Sequence, residues 1–159
     1  RFDSGMTAAS RSLRKKLVAN LIHRRRFTIE WGDCDPAGIV FNSNFFVFFD
    51  SSTWDMFEKV LGVNRADIGK TYDMVGFPLV DVSGRFLKPA KFGELVEVES
   101  EVSEFRRSSF DVQHKLTVRG EAAAEGTETR VWAGADPDNP GKIKAKPIPR
   151  AVIDRFAVR

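Results

Sequence analysis

The sequence predicts an α+β fold, an antiparallel sheet wrapped around one long central helix. Three observations predict it. A stretch near residues 44–61 carries aromatic and apolar residues at helical spacing. The segments after it alternate apolar and polar residues, as half-buried strands do. Those strands follow one another with no helix between them, which favours antiparallel pairing on one side of a single helix.

The elements read in order. Phe27 to Trp31 alternates and reads as a strand, broken by Pro36 and Gly38. From Asn44 to Leu61 the residues Phe45, Phe48/Phe49, Ser52, Met56 and Val60 recur at three- and four-residue spacing. Asn42, Ser43 and Asn44 all suit a helix cap. Such a helix is about 27 Å long, enough to cross the domain, and its apolar character on most sides predicts burial. Residues 64–73 read as a short helix or structured loop. Leu79 to Leu87 reads as a strand ending in the turn signal of residues 88–93. Val96, Val98 and Val102 alternate with glutamates. Phe110, Val112, His114, Leu116 and Val118 alternate with polar residues. Glu128 to Ala133 is a further strand and residues 136–141 a loop. Residues 143–148 pair back, and Arg150 to Phe156 forms a closing helical turn.

The chain has 159 residues, enough for one domain with a real core. Its net charge of +3 is unevenly spread. Residues 1–26 hold eight Lys/Arg against the single acid Asp3. Residues 27–159 hold 17 Lys/Arg against 21 Asp/Glu. The expected organisation is therefore a basic arm over 1–26, solvated and partly disordered, and one domain over 27–159. The apolar run from Phe41 to Phe57 is interrupted by Asn42, Asn44, Asp50 and Asp55, so no membrane span is expected. The lone Cys34 excludes an internal disulfide and a cysteine-rich zinc site, and fits a reducing, cytoplasmic setting. With only His23 and His114, no multi-histidine metal centre is expected. No nucleophile elbow, phosphate-binding glycine loop or dinucleotide fingerprint occurs.

The chemistry concentrates in residues 31–42, Trp-Gly-Asp-Cys-Asp-Pro-Ala-Gly-Ile-Val-Phe-Asn. Two carboxylates, a proline and a glycine sit between a strand and an aromatic helix. A carboxylate aimed at a helix N-terminus faces free N–H groups that can polarise a carbonyl oxygen. A base or nucleophile facing an oxyanion site is the minimum apparatus for acyl transfer. Asp35 reads as that group, or as a turn acid ahead of Pro36. Asp33 reads as structural, bonding nearby backbone N–H groups. Gly38 suits a turn that a side chain would block. Cys34, between two acids, is expected to have a raised pKa and to be a poor nucleophile. His114 reads as a satisfied core histidine.

These residues carry a resemblance to a family. The run Gly32-Asp33-Cys34-Asp35-Pro36-Ala37-Gly38-Ile39-Val40 before an aromatic helix, with Glu104-Phe105-Arg106-Arg107-Ser108-Ser109-Phe110 on a later strand, resembles hotdog-fold acyl-CoA thioesterases. It is most similar to the 4-hydroxybenzoyl-CoA thioesterase branch of the Pseudomonas type. The resemblance implies a hotdog fold, hydrolysis of an aromatic acyl-CoA, Asp35 as the catalytic carboxylate and the backbone N–H of Asn42 as oxyanion donor. It implies that Arg106 and Arg107 bind the coenzyme's phosphates, although a solvated pair at a strand start fits the same residues. Lys142 and Lys144 on a late strand are weaker candidates by residue type, which suits surface charge as well. Asp50 falls where an acid meets a ring hydroxyl, although a helix acid paired across subunits or exposed at one end fits its residue type equally. The resemblance further implies a homotetramer built as a dimer of hotdog dimers, with sites at the dimer interface. No cofactor is implied, since coenzyme A is part of the substrate, and neither nucleic acid nor membrane is an expected partner. Three positions depart from the family pattern. Asn42 stands for a tyrosine, Ser108 for a lysine, and Phe77 before Pro78 for a small polar residue, which should reshape the acyl pocket. The same reaction on aliphatic acyl-CoA or a carrier-protein thioester, and a non-enzymatic module acting through the basic arm, are the alternatives. A hotdog dehydratase would want a histidine on the loop or central helix, where none occurs.

Overall fold

The computed structural model describes residues 21–157. Strand β1 (Ile22–Thr28) leads through a 3-10 turn (Trp31–Asp33) into helix α1 (Asn42–Leu61) and the short α2 (Arg65–Thr71). Then come β2 (Leu79–Phe86), β3 (Leu95–Phe105), β4 (Ser109–Val118) and β5 (Glu121–Val131). The short strands β6 (Ala133–Ala135) and β7 (Ile143–Ala145) and helix α3 (Arg150–Phe156) close the chain. Five strands make one antiparallel sheet in the order β1-β3-β4-β5-β2, and β6 pairs with β7. The chain thus leaves one edge of the sheet, runs through α1, and returns at the other edge. The predicted α+β arrangement holds. Residues 1–20 of the expected 1–26 arm lie outside the described residues.

The strand start differs from the expectation. β1 begins at Ile22, so Ile22 to Arg26 belong to the sheet and not to an arm. Alternation explains it. Arg24 and Arg26 point outward onto β3, with Arg24 Nη2 2.9 Å from Glu99 and Arg26 Nε 2.5 Å from Glu97. His23 points the other way, and its Nε2 lies 2.7 Å from Asp55 on α1. β5 is also longer than expected. Its first half, Glu121 to Gly126, is poor in β-formers, yet β4 on one side and β2 on the other impose the extended form.

α1 buries one face: Phe45, Phe48, Phe49, Ser52, Thr53, Met56, Phe57 and Leu61, at i, i+3/i+4 spacing. The opposite side is less covered than expected, and Val47 stays 56% exposed. None of the expected caps bonds through its side chain to the helix. The N-cap is Phe41, and Asn44 Nδ2 instead donates to the Asp33 carbonyl at 2.9 Å. Gly62 ends the helix at φ 66°, a left-handed position that suits glycine. The helix can sit close because the sheet is bare beneath it. A Cβ on Gly126 would fall 2.5 Å from the Phe49 ring, and one on Gly84 3.0 Å from Phe46.

Between α1 and the sheet runs a buried polar chain. Ser100 Oγ lies 2.8 Å from His114 Nδ1, and the imidazole stacks on Phe49 at 4.8 Å. His114 Nε2 lies 3.3 Å from Glu128 Oε2, which also accepts from Thr53 Oγ1 at 2.6 Å. Arg130 donates to Glu128 through Nε at 2.8 Å and Nη2 at 2.9 Å. It also donates to the Phe77 carbonyl at 3.3 Å and to Asp50 Oδ1 at 2.6 Å. His114 is therefore the satisfied core histidine that its alternation suggested. Burial alone would raise the Glu128 carboxyl, but hydrogen bonds from His114 and Arg130 outweigh it and bring its pKa down to about 2.

Two outcomes follow from this packing. Gly126→Ala should cost about 1–3 kcal/mol in denaturant titration, because the Phe49 ring must leave its place. The Glu128 contribution is fully present above its ordinary pKa of 4.5 and is lost as pH falls towards about 2. Thermal melts between those limits should lose stability steeply in the wild type and more shallowly in Glu128→Gln.

Candidate active site

The segment after β1 is held by main-chain bonds at almost every residue. Asp33 Oδ2 accepts from the Glu30 N–H at 2.8 Å, closing the 3-10 turn. This is the structural role its sequence position suggested. Cys34 and Val40 bridge as an antiparallel pair. Inside that bridge the Asp35 carbonyl accepts from Gly38 N–H at 2.9 Å, a tight turn with Pro36 and Ala37 at its tip. Gly38 takes φ 74°, which a side chain would resist. The turn docks on the β2–β3 connection, with Val40 N–H on the Ala90 carbonyl at 2.8 Å and Phe92 N–H on the Gly38 carbonyl at 3.0 Å. Phe41 N–H returns to the Asp33 carbonyl at 2.9 Å, the same oxygen that receives Asn44 Nδ2. The Asp35 turn and the start of α1 are therefore fixed to each other.

Within this frame Asp35 is half-buried. Its Oδ1 accepts from Ala37 N–H at 2.8 Å, while Oδ2 has no partner among the described residues. At the start of α1 the Asn42 and Ser43 N–H groups likewise have no acceptor among the described residues. A carboxylate with one oxygen anchored and one unspent thus sits on a turn tied by main-chain bonds to the start of a helix whose first amides are unspent. Cys34, between the two acids in the chain, has its thiol pushed up by desolvation and then by the charges of Asp33 and Asp35. That follows the expected direction, with burial as the larger cause.

The other expected site residues lie elsewhere. Asp50 is on α1, its side chain 50% exposed, with one oxygen on Arg130. Phe77 is buried in the aromatic core, stacked on Trp54 at 3.9 Å and packed on Phe57 and Phe110. Arg106 and Arg107 form the exposed β3–β4 turn. Arg106 is engaged by Asp111 and, at 3.1 Å, by Glu104. The hydrogen bond to Asp111 leads in raising the Arg106 pKa. Among the described residues Arg107 makes no ion pair; its carbonyl accepts from Ile148 N–H at 2.8 Å. Lys142 and Lys144 are exposed at the neighbouring β6–β7 ribbon. A concavity of about 440 Å³ opens on the sheet face away from α1, between Glu99, Gln113, Lys115 and Glu125, and holds none of these residues. Among the described residues no three His, Cys, Asp or Glu gather as a metal-binding group, and no helix is long and apolar enough to cross a membrane.

Residues 29–156 match the thioesterase-like superfamily, most of the chain and all of the site loop. The chain belongs to that superfamily. It is 30% identical over 132 residues to the 4-hydroxybenzoyl-CoA thioesterase of Pseudomonas sp. strain CBS-3, covering 79% of this chain and 91% of that protein. The solved structure of 4-hydroxybenzoyl-CoA thioesterase from that strain superposes with a TM-score of 0.77 at 26% identity, over 84% of this chain and 98% of that one. A gentisyl-coenzyme A thioesterase structure superposes with a TM-score of 0.71 at 29% identity, over 82% and 98%. The sheet and central helix are thus those of the hotdog fold, and this thioesterase-like chain is a thioester hydrolase.

Sequence reasoning missed Glu128 and Arg130. They lie two apart on one face of β5, a pattern common on exposed strands. Only the pairing of β5 between β4 and β2 turns that face towards α1.

Proposed function

We propose that this thioesterase hydrolyses an aromatic acyl-CoA, of the benzoyl or hydroxybenzoyl type, to the free acid and coenzyme A. The observation that carries the reading is the unspent Asp35 oxygen on a turn that main-chain bonds tie to the start of α1, where the N–H groups are also unspent. Asp35 acts in one of two ways. As nucleophile it attacks the thioester carbonyl, the C–S bond breaks, the coenzyme leaves as thiolate, and water then opens the mixed anhydride. As base it takes a proton from water, water oxygen attacks the carbonyl, and the proton passes to the departing sulfur. Either route consumes one water and yields one acid and one thiol. The Asn42 N–H stabilises the oxyanion, a contribution of about 3–4 kcal/mol for such donors. It comes from the backbone, so an asparagine in place of a tyrosine leaves it intact.

Arg106 and Arg107 are the proposed phosphate contacts and Asp50 the partner of a ring substituent; Phe77 is enclosed in the core and can shape the acyl pocket only through Trp54, on which it stacks. The names of the Pseudomonas enzyme and the gentisyl-coenzyme A thioesterase both describe hydroxylated aromatic acyl groups, which supports the aromatic choice. No bound cofactor enters this scheme. A homo-oligomer, a tetramer built as a dimer of dimers and acting in the cytoplasm, is part of the proposal. Its support is β2, an edge strand that leaves Val80 60% and Phe86 48% exposed.

Thiol release should be fast with 4-hydroxybenzoyl-CoA or benzoyl-CoA and slower with a medium-chain acyl-CoA. Release from the aliphatic substrate alone would replace the aromatic reading and keep the chemistry. Asp35→Asn should fold normally and lose about a hundredfold or more in kcat; full activity would remove Asp35 from the mechanism. Arg107→Ala should raise KM more than Arg106→Ala does, because Arg106 is already engaged by Asp111 and Glu104. Equal KM values in both variants and wild type would remove the pair from the coenzyme site.

A further inference from the structure

Asp50 is held from behind. Its Oδ1 accepts from Arg130 Nη2 at 2.6 Å, while Oδ2 has no partner among the described residues. Arg130 cannot turn to follow a moving partner. Its side chain is 3% exposed, and each of its nitrogens is bound: Nε to Glu128, Nη2 to Glu128 and Asp50, Nη1 to the Phe77 carbonyl. Glu128, 1% exposed, is gripped in turn by Thr53 of α1. A guanidinium fixed in plane at both ends orients a carboxylate as a lysine would not.

The compensation is uneven. Among the described residues Glu128 has His114 and Thr53 as well as Arg130 for partners, whereas Asp50 has Arg130 alone, so the less compensated carboxylate is the half-exposed one. That end is therefore suited to a hydrogen-bond donor and unsuited to a second anion. Its place suits an acyl group as well. Asp50 follows Asn42 by eight residues of one helix, about 12 Å along its axis. A carbonyl at the helix start and a donor at Asp50 are then separated by roughly one substituted aromatic ring.

We propose that Arg130, locked by Glu128, is a positioning residue that presents the free oxygen of Asp50 to the acyl group and so selects rings bearing a hydroxyl donor. The inference rests on the aromatic acyl-CoA reading above. It assigns to Arg130 and Glu128 a part in substrate choice that their burial hides.

The test compares kcat and KM for 4-hydroxybenzoyl-CoA and benzoyl-CoA in the wild type, Asp50→Asn, the charge-neutral double variant Glu128→Gln/Arg130→Gln, and the triple variant. Loss of one oriented hydrogen bond should lower the kcat/KM preference for the hydroxylated substrate by about tenfold in Asp50→Asn and in the double variant alike. The triple variant should lose little more, since all three residues act through one contact. Arg130→Lys, which keeps the charge but not the fork, serves as the second arm and should also lose preference while melting as a folded protein. A merely structural role would lower both substrates equally and leave the ratio unchanged in folded Arg130→Lys or in the double variant; that result overturns the inference. A wild type that hydrolyses both substrates equally also overturns it and leaves the aromatic reading standing. A wild type that hydrolyses neither overturns both.

Discussion

The seating of α1 on the sheet is the constraint on which the rest depends. Gly126 lets Phe49 rest against the strand backbone, and Gly84 does the same for Phe46. A side chain at either place would displace the ring that rests there. The helix so seated is the one whose start is tied to the Asp35 turn, through Phe41 and Asn44 on Asp33. The same close approach brings Thr53 within 2.6 Å of Glu128 and Asp50 within 2.6 Å of Arg130. One packing contact therefore sets the backbone amides, the carboxylate turn and the buried charges together.

The molecule uses its acids in two ways. At the site loop, Asp33 and Asp35 each give an oxygen to a backbone N–H, which costs little burial and defines direction. Under the helix, Glu128 is fully enclosed, and its charge is tolerable only because Arg130, Thr53 and His114 surround it. Removing one partner from such a cluster leaves an uncompensated charge, so the cluster acts as a unit. That unit reaches the surface at one place, Asp50.

Arginine pairs show how far residue type alone misleads about availability. Arg106 and Arg107 look equivalent on the chain. In the fold, Asp111 on β4 claims the first, and the hydrogen bonds from Arg106 and Thr129 hold that acid low despite its burial. The second keeps an exposed side chain on a turn whose carbonyl is tied to Ile148. A similar division separates Arg24 and Arg26, paired with β3, from the reading of a free basic arm.

What the sequence by itself determined was local in origin. Helical spacing from Phe45 to Met56, alternation in β3 and β4, and the Asp-Pro-Ala-Gly turn each follow from residues a few positions apart. Periodicity, a fixed proline φ and a glycine at φ 74° specify them without distant partners. The cap candidates at 42–44 misled because they are the first three residues of α1 itself, and the turn at Asp33 draws the Asn44 side chain to its carbonyl. Tertiary structure alone decided the start of β1 at Ile22, the full length of β5, the burial of Phe77 and the contact of Arg130 with Asp50. Each of these rests on pairing or packing with another segment: β1 with β3, β5 with β4 and β2, Phe77 with Trp54 and Phe110, and Arg130 with Asp50, 80 residues away. Alternation says that two residues share a face; only the neighbouring strands and the helix above say which face is the inside.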